Sequence, residues 1–322
     1  SIFHYELINF SIDLCTRFNE SLRGTESILK DHLKVEVSHK VILDWIQKAG
    51  KAVEEIRFKL IPPFSGYLAI DERKIIIHGE KYYVLGYADA KLGSFLYYDI
   101  VPSKTKKSYK ESIFRFLNET GLESQIIAVI TDEYSTFVSI IPEIFKSCIH
   151  SYCIFHVKRN IYKRIHSAAK ISLKKKLPKE FQDITSILNE IFQVYDQAHA
   201  KYWLYVARAA QIRCNLDNNQ KITDLINDLE NKLEHITYFI KDPESPKTTN
   251  SCEQIWSKIT PRLEIMKNFN SLKSVKSYLN LLQTIINFEK HKKWCKKHPK
   301  DAGKIPFKIK VDHWFEYIKF NE

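Results

Sequence analysis

Long apolar segments are missing from this sequence. No uninterrupted apolar run approaches the roughly 20 residues that a bilayer-spanning helix requires. The start of the chain lacks a basic segment and a small-residue cleavage site, and it carries Glu6 and Asp13, so it does not resemble a secretion signal. These absences predict a soluble protein without a membrane partner, located in the cytoplasm and, in a prokaryote, associated with the nucleoid.

Cysteine and glycine are also scarce. The 322 residues include only 6 cysteines and 8 glycines. The cysteines are Cys15, Cys148, Cys153, Cys214, Cys252 and Cys295. Scattered cysteines in a long chain argue for reduced thiols rather than a disulfide framework, which agrees with an intracellular location.

Positive charge is in excess. Lysine and arginine number 50 against 38 aspartates and glutamates, which gives a formal charge of +12 and a pI near 9.2. The hydrophobic fraction of 44% is enough for the core of one large domain or of two to three ordinary ones. A basic globular chain of this kind is expected to bind a polyanion such as nucleic acid.

The first sixty residues have the pattern of a helix-turn-helix. "GTESILKDHLKVEVSHKVILDWIQKAG" predicts a short helix, a tight connection, and a second helix that begins after the N-cap Ser38 and ends at Gly50. The second helix of such a motif enters a DNA major groove, so its polar residues are candidate DNA contacts. They are His39, Lys40 and Lys48. The alternative is that three small helices simply pack together.

Past the Pro/Gly connection "IPPFSG" the pattern changes to strands and helices. Three consecutive antiparallel strands, "YLAIDERKIIIH", "KYYVLGYADA" and "SFLYYDIVPS", are followed by a helix, the strand "IIAVIT", a helix, the strand around "SCIHSY" and another helix. This order predicts an α/β fold with a mixed five-stranded sheet covered by helices. The predicted domains are 1–60 for DNA binding, 61–165 and 247–288 for catalysis, 166–246 as an all-α insertion, and 289–322 as a basic tail.

Carboxylates follow two of these strands. "GYLAID" is expected to end near Asp71, and "AVITDEYSTF" runs into Asp132; Glu253 in "TTNSCEQIWSKI" begins a later helix. Acids are common at turns and in first helical turns, which is the simpler reading. If the strands are parallel neighbours, the acids converge and require a cation such as Mg²⁺ or Mn²⁺, two of which can catalyse phosphodiester chemistry. Glu72 and Glu133 are the competing ligands.

The ordered set "LAIDE", "AVITDEYSTF", "HSYCIFHVKRN" and "TTNSCEQIWSKI" resembles the DDE transposases of insertion sequences. The resemblance implies an RNase H-like fold, a catalytic and metal-binding triad of Asp71, Asp132 and Glu253, cleavage and joining of double-stranded DNA, and a homodimer or larger synaptic complex. Relatives often carry a basic residue where this chain has Thr260, so Lys258 and Arg262 are the nearest candidates for that DNA contact.

Two further sets of residues complete the predicted site. Cys153 and His156 form a Cys-x-x-His element that is expected to orient the strand-to-helix junction beside Asp132. A zinc site is not favoured, because the neighbouring residues offer too few ligands. A basic run after it could line a DNA path or simply be a solvated helix face. Its candidates are Lys158, Arg159, Lys163 and Arg164. The alternative functions are an RNase H-like nuclease and a transposase-derived DNA-binding protein without catalysis.

Overall fold

The computed structural model of the chain describes residues 3–57, 61–265 and 269–288. The predicted basic tail, 289–322, lies outside them. The strands are β1 Tyr67–Ile77, β2 Glu80–Asp89, β3 Phe95–Val101, β4 Ala128–Thr131 and β5 Ile149–Tyr152. The helices are α1 Tyr5–Thr16, α2 Leu22–Leu33, α3 His39–Arg57, α4 Lys106–Thr120, α5 Ser135–Ile144, α6 Ile154–Ala168, α7 Lys179–Glu190, α8 Gln197–Arg213, α9 Gln220–Asn231, α10 Leu233–Ile236, α11 Tyr238–Lys241, α12 Asn250–Ile265 and α13 Leu272–Phe288. Across the described ranges, no helix has both the length and the apolar character needed to cross a bilayer.

The five strands form one mixed sheet in the order β3-β2-β1-β4-β5. β2 and β3 are antiparallel, whereas β4 is parallel to both β1 and β5. The turn between β1 and β2 is tight because its two residues, His78 and Gly79, have φ of 51° and 78°, as a two-residue hairpin turn of matching twist requires. The mixed five-stranded sheet flanked by helices, which the strand pattern and the resemblance predicted, is confirmed.

The described residues divide into two compact units. The first unit comprises those of Ser1–Ser65 and Ile70–Gln125 and those from Asn250 onward; the second comprises Gly66–Ala69 and Ile126–Thr249. The first therefore contains α1–α4, α12, α13, β2, β3 and most of β1, and the second contains β4, β5 and α5–α11. The division into DNA-binding, catalytic and inserted domains stays a prediction.

In the first unit, α13 is buried along most of its length and packs against α3. The contact is close at Gly50, where a Cβ would lie 2.5 Å from the backbone of Ser277. Asn280 also donates a hydrogen bond from Nδ2 to the Gly50 carbonyl, at 3.0 Å. The prediction that a helix ends at Gly50 is therefore wrong: α3 continues to Arg57, and this glycine allows close approach of two helices.

The second unit has its own hydrophobic core, built from α6–α11 with Tyr152 of β5. The segment after α6 was predicted to be an all-α insertion, and its described helices are α7–α11. In the first unit, α12 continues through Pro261 to Ile265.

Candidate functional site

Asp71 lies within a strand, where the sequence predicted a strand end. β1 continues through Asp71 to Ile77, so that prediction is wrong. The pairing of β1 with β4 does stop nearby, because Ala69 and Ile130 are the last two residues that pair between these strands. Asp71 and Asp132 each follow their member of this pair by two residues. The two acids thus have equivalent positions along parallel neighbouring strands.

The carboxylate next to Asp71 is held by a lysine. The Glu72 side chain is only 9% exposed and forms an ion pair with Lys104. The Lys104 ammonium also lies 5.0 Å from the ring centroid of Tyr83. The Asp71 carboxylate accepts a hydrogen bond from the Glu72 backbone N–H at 2.9 Å. Because successive strand side chains point to opposite faces, these two carboxylates diverge, and the Glu72 side chain lies against Lys104.

Hydrogen bonds fix Asp132 just beyond the end of β4. Its Oδ1 accepts the backbone N–H of Tyr134 at 3.0 Å, which closes an Asx-type turn into α5. The preceding Thr131 donates its hydroxyl proton to the Asp132 carbonyl at 2.7 Å. The Thr131 hydroxyl oxygen also lies 2.8 Å from Nε2 of His150. Since the hydroxyl proton is already used, His150 donates from Nε2 and supports the strand end from β5.

His150 is a buried, neutral imidazole. Burial, followed by the nearby charge of His235, lowers its pKa to about 3. Its ring packs edge-on against Tyr152, with 4.9 Å between centroids. The His150 carbonyl lies 2.7 Å from Nδ1 of His235 in the same unit. The neutral ring therefore belongs to a packed aromatic cluster beneath the β4 terminus.

Glu133, the second acid after β4, belongs to a charged network. Its side chain is 9% exposed, and Oε1 lies 3.1 Å from Nζ of Lys232. Oε2 accepts a hydrogen bond from Asn160 at 2.8 Å. Lys232 also pairs with Asp228 at 2.9 Å, and Asp228 pairs with Arg164 at 2.6 Å. Burial opposes a charged ammonium, but the two carboxylates outweigh it and raise the pKa of Lys232.

The same network lines a cavity of about 300 Å³ in the second unit. The charged residues that line this cavity are two acids, Glu133 and Asp228, and three cations, Lys163, Arg164 and Lys232. Metal sites of the magnesium type instead gather carboxylates that lack protein cations. Charge balance therefore argues that Glu133 serves the structure of the second unit rather than a metal ion.

Glu253 occupies the first turn of α12 and is half-buried. One turn later Trp256, which is 5% exposed, packs against β2. A Cβ on Gly86 of β2 would lie 2.8 Å from Cζ2 of Trp256, and the ring of Phe95 meets the indole edge-on at 6.3 Å. The missing side chain at Gly86 thus lets α12 approach the sheet, and this contact sets the position of Glu253.

Arg262 is engaged within the first unit. Its guanidinium donates to the carbonyls of Thr16 and Arg17 at the end of α1. A cation at a helix C-terminus is favourable because the terminal carbonyls carry partial negative charge. Lys258, on the same helix, is exposed. The predicted DNA contact by Arg262 thus competes with a structural role that the sequence did not indicate.

Cys153 links α6 to the segment that precedes α12 in the chain. Its Sγ accepts the backbone N–H of Thr249 at 3.3 Å, and the N–H of Ile154 donates to the Lys247 carbonyl at 3.0 Å. Burial would raise the pKa of the Cys153 thiol, but hydrogen bonds from His156 and Thr249 outweigh it and lower that pKa. These hydrogen bonds hold the junction between β5 and α6, and the orienting role of Cys153 and His156 beside Asp132 stays a prediction.

Among residues 3–57, 61–265 and 269–288, no group of three or more His, Cys, Asp and Glu side chains is arranged so that it could hold a metal ion. This holds for the zinc alternative as for the carboxylate triad. The donor chemistry of the triad, three carboxylates, still matches the oxygen ligands that Mg²⁺ and Mn²⁺ take.

Several predicted DNA contacts have partners inside the protein. His39 lies 2.9 Å from Glu26, and Lys48 lies 2.8 Å from Asp44 on its own helix. The Lys158 ammonium lies 5.1 Å from the ring centroid of Phe192. Three of the remaining candidates have exposed side chains: Lys40, Arg159 and Lys163. The DNA-binding role of all these residues stays a prediction.

Comparison with known proteins assigns the chain to a family. Residues 94–297 match the family model described as "Transposase, Mutator family". The chain belongs to this transposase family. The matched segment includes Asp132, Cys153, His156 and Glu253, whereas Asp71 precedes it. The insertion-sequence transposase that the motifs indicated is thereby confirmed at the level of the family.

Individual relatives are more distant. The chain is 27% identical over 143 residues to "Insertion element ISM1 uncharacterized 48.3 kDa protein" of Methanobrevibacter smithii, covering 44% of this chain and 33% of that protein. The chain thus matches about a third of its relative's length. A solved structure, the simian T-cell lymphotropic virus intasome in complex with the PP2A regulatory subunit B56 gamma, is 9% identical, with a TM-score of 0.23 over 56% of this chain and 68% of that one.

The sequence pattern did not indicate the lysine partners of Glu72 and Glu133. The repeated "DE" pair was visible, and it raised the question of which acid faces the site. Lys104 and Lys232 lie far from these acids in sequence, so no local pattern could assign them. Only the fold brings each lysine to its glutamate.

Proposed function

We propose that this chain is a DNA transposase that cuts the ends of its element and joins the freed strand to target DNA. In the first step, water attacks the phosphodiester and breaks the bond to the 3′ oxygen, which leaves a 3′-hydroxyl. In the second step that hydroxyl oxygen forms a bond to a target phosphorus and displaces the target strand's own 3′ oxygen. One site serves both steps, because water and the hydroxyl take the same nucleophile position.

The residues proposed to carry this chemistry are Asp71, Asp132 and Glu253. When bound there, two Mg²⁺ or Mn²⁺ ions activate the attacking oxygen and stabilise the leaving oxygen. The chain's own contribution is to hold three carboxylates in fixed orientation. The Asx turn at Asp132 and the contact of Trp256 with Gly86 provide that orientation on two of the three elements.

One observation carries the assignment of the aspartates. Asp71 and Asp132 follow a registered pair of parallel strands by the same number of residues, and the glutamate after each is paired with a lysine. The matching register supports the two aspartates as the candidate ligands. Family membership supports the reaction class.

DNA binding is proposed to use α2 and α3 together with the basic residues of α6. α3 would occupy a major groove and read the element's end, while Arg159 and Lys163 would contact phosphates without reading sequence. Two copies would act together on the two ends of the element, as a homodimer or a larger complex.

The test is cleavage and strand transfer on labelled DNA carrying the element's ends, with Mg²⁺ or Mn²⁺. We expect Asp71→Asn, Asp132→Asn and Glu253→Gln each to bind DNA and to lose both reactions by at least about a hundredfold. Asp183→Asn, an exposed acid on α7, is the matched control and keeps both. A second readout is the rise in melting temperature that Mn²⁺ produces, which the three variants should lack. Equal cleavage by wild type and variants would reject the triad; DNA binding without cleavage by the wild type would favour a binding protein.

A further inference from the structure

One face of α8 is apolar and exposed. Tyr195 is 92% exposed, Tyr202 56%, Tyr205 72% and Ile212 67%. Ala198 and Ala209 lie on the same face and are exposed as well. We call these six residues the α8 seam. They are spaced alternately by three and four residues, from Tyr195 just before the helix to its last turn.

The α8 seam is separate from the face that α8 uses inside the second unit. That inner face carries Ala200, Leu204, Ala207 and Ala210, which are buried in the core of the unit. The helix is therefore apolar on two sides, and among the residues that the structure describes only the inner side is covered. Exposed apolar patches of this kind mark interaction sites. Spacing by alternating threes and fours is the pattern by which one helix packs lengthwise against another.

The order of residues in the α8 seam makes it complementary to itself. It reads Tyr, Ala, Tyr, Tyr, Ala, Ile, which is nearly the same in both directions. If two copies of α8 are antiparallel about a two-fold axis, Tyr202 faces Tyr205 and Ala198 faces Ala209, while Ile212 in the last turn lies towards the segment that carries Tyr195 just before the partner's α8. Large residues then meet large ones and small meet small, so the helices can approach evenly. Such an arrangement is an isologous two-fold interface.

We infer that the α8 seam binds the α8 seam of a second copy of this chain, antiparallel, with Tyr202 of each copy against Tyr205 of the other. The inference deepens the pairing of two copies proposed above and rests on it. It names the surface through which the copies meet, and it is independent of which carboxylates do the chemistry.

The charges beside the α8 seam are compatible with this partner. Lys201 and Arg208 flank it on one side, and an antiparallel pair brings Lys201 of one copy towards Arg208 of the other. Arg208 is already paired with Glu230 of its own chain at 2.6 Å. Lys201 therefore meets a neutralised ion pair rather than a bare cation. Nucleic acid is a poorer occupant, because none of the six seam residues offers a charge or an amide to phosphates or base edges.

Disulfide trapping tests the orientation. Two full-length single variants, Ala198→Cys and Ala209→Cys, are oxidised alone and as a mixture, and cross-links are mapped by mass spectrometry of peptides. We expect a bond between positions 198 and 209 in the mixture only, because those positions face each other across the two-fold axis. Cross-links of either variant with itself at these positions would mean a parallel pair and overturn the inference, as would the absence of a link in the mixture.

Tyr205→Glu tests the interface itself. We expect the wild type to be a dimer by light scattering at micromolar concentration and Tyr205→Glu to weaken that dimer at least tenfold. The melting temperature extrapolated to low concentration should not change, because the side chain is exposed. Phe114→Glu, at a 50% exposed aromatic on α4, is the matched control and stays dimeric.

Three results would overturn the inference. The first is a monomeric wild type, and the second is a dimer that Tyr205→Glu leaves intact. The third is a Tyr205→Glu variant whose mass by light scattering is unchanged but which binds DNA more weakly, a result that would assign the α8 seam to nucleic acid. Failure of the proposed catalytic function can be distinguished from failure of this inference. The first would appear in the cleavage activity of Asp132→Asn, and the second in the oligomer mass and the cross-links.

Discussion

Lys232 places its ammonium 3.1 Å from the Glu133 carboxylate, in a position where the lysine is 26% and the glutamate 9% exposed. This pair commits the acid beside Asp132 to the interior of the second unit. An equivalent ion pair, between Glu72 and Lys104, commits the acid beside Asp71. In each "DE" pair, the glutamate is thereby held by a lysine of its own unit.

Removing the lysine should leave a buried carboxylate without its main partner. We expect Lys232→Met to lower the free energy of unfolding by about 2 kcal/mol in urea titrations, less than for a fully buried pair because Lys232 is partly exposed. Adding Glu133→Gln should restore part of the loss, since the amide needs no counter-charge. Lys179→Met, at an exposed lysine on α7, is the control. Unaltered stability of Lys232→Met would mean that the pair contributes nothing.

His150 should make stability depend on pH. Its pKa is about 3 in the folded state and near 6.5 when unfolded, so protons bind preferentially to the unfolded chain below neutrality. The stabilisation is complete above about pH 6.5 and is lost as pH falls towards 3. We expect the wild type to lose about 2 kcal/mol between pH 7.5 and 5 through this group.

The measurement is the difference in pH dependence between variants. In His150→Phe, which keeps a ring but cannot titrate, unfolding free energies measured by urea should fall less steeply over the same range. His32→Phe, at an exposed histidine on α2, should follow the wild type. Parallel curves for wild type and His150→Phe would show that His150 titrates normally.

Gly86→Ala should disturb α12 through Trp256. The added methyl group would lie 2.8 Å from Cζ2 of the indole, so the ring and its helix must shift. Overpacking of this size costs about 1–3 kcal/mol. We also expect slower strand transfer, because Glu253 is one turn from Trp256. Trp256→Phe lacks the clashing atom, so in the double variant it should recover part of the activity; a double variant no better than Gly86→Ala would contradict the explanation.

Asn287 should stabilise the edge strand β3. Its side chain accepts the Phe95 N–H and donates to the Phe95 carbonyl, both at 2.8 Å and both buried. Asn287→Leu leaves that N–H unsatisfied, and we expect a loss of about 2 kcal/mol with faster hydrogen exchange at the Phe95 amide. Gln283 donates to the carbonyls of Phe95 at 3.1 Å and Leu96 at 2.9 Å. Gln283→Leu should cost less, because the Phe95 carbonyl keeps its Asn287 donor and no buried N–H loses its acceptor. The opposite ranking of the two variants would refute this explanation.

The local sequence could predict most elements of the fold. Segments rich in Ile, Tyr, Val and Leu indicated β1–β3, and the helix predicted after them is α4, which Thr105 and Gly121 cap. Gly50 misled one boundary prediction. Its effect depends on a distant neighbour, because Gly50 faces Ser277 of a helix more than two hundred residues away.

The candidate site divides in the same way. The sequence was enough to indicate a transposase and to nominate Asp71, Asp132 and Glu253. The signals were the composition, the acids after two strands and the order of the motifs, all of which can be read from the linear sequence. The lysine partners of Glu72 and Glu133, the internal role of Arg262 and the exposed side of α8 were decided by the tertiary structure alone. Ion pairs and burial depend on which distant segments meet, and spacing along a helix shows that a face is apolar without showing whether anything covers it.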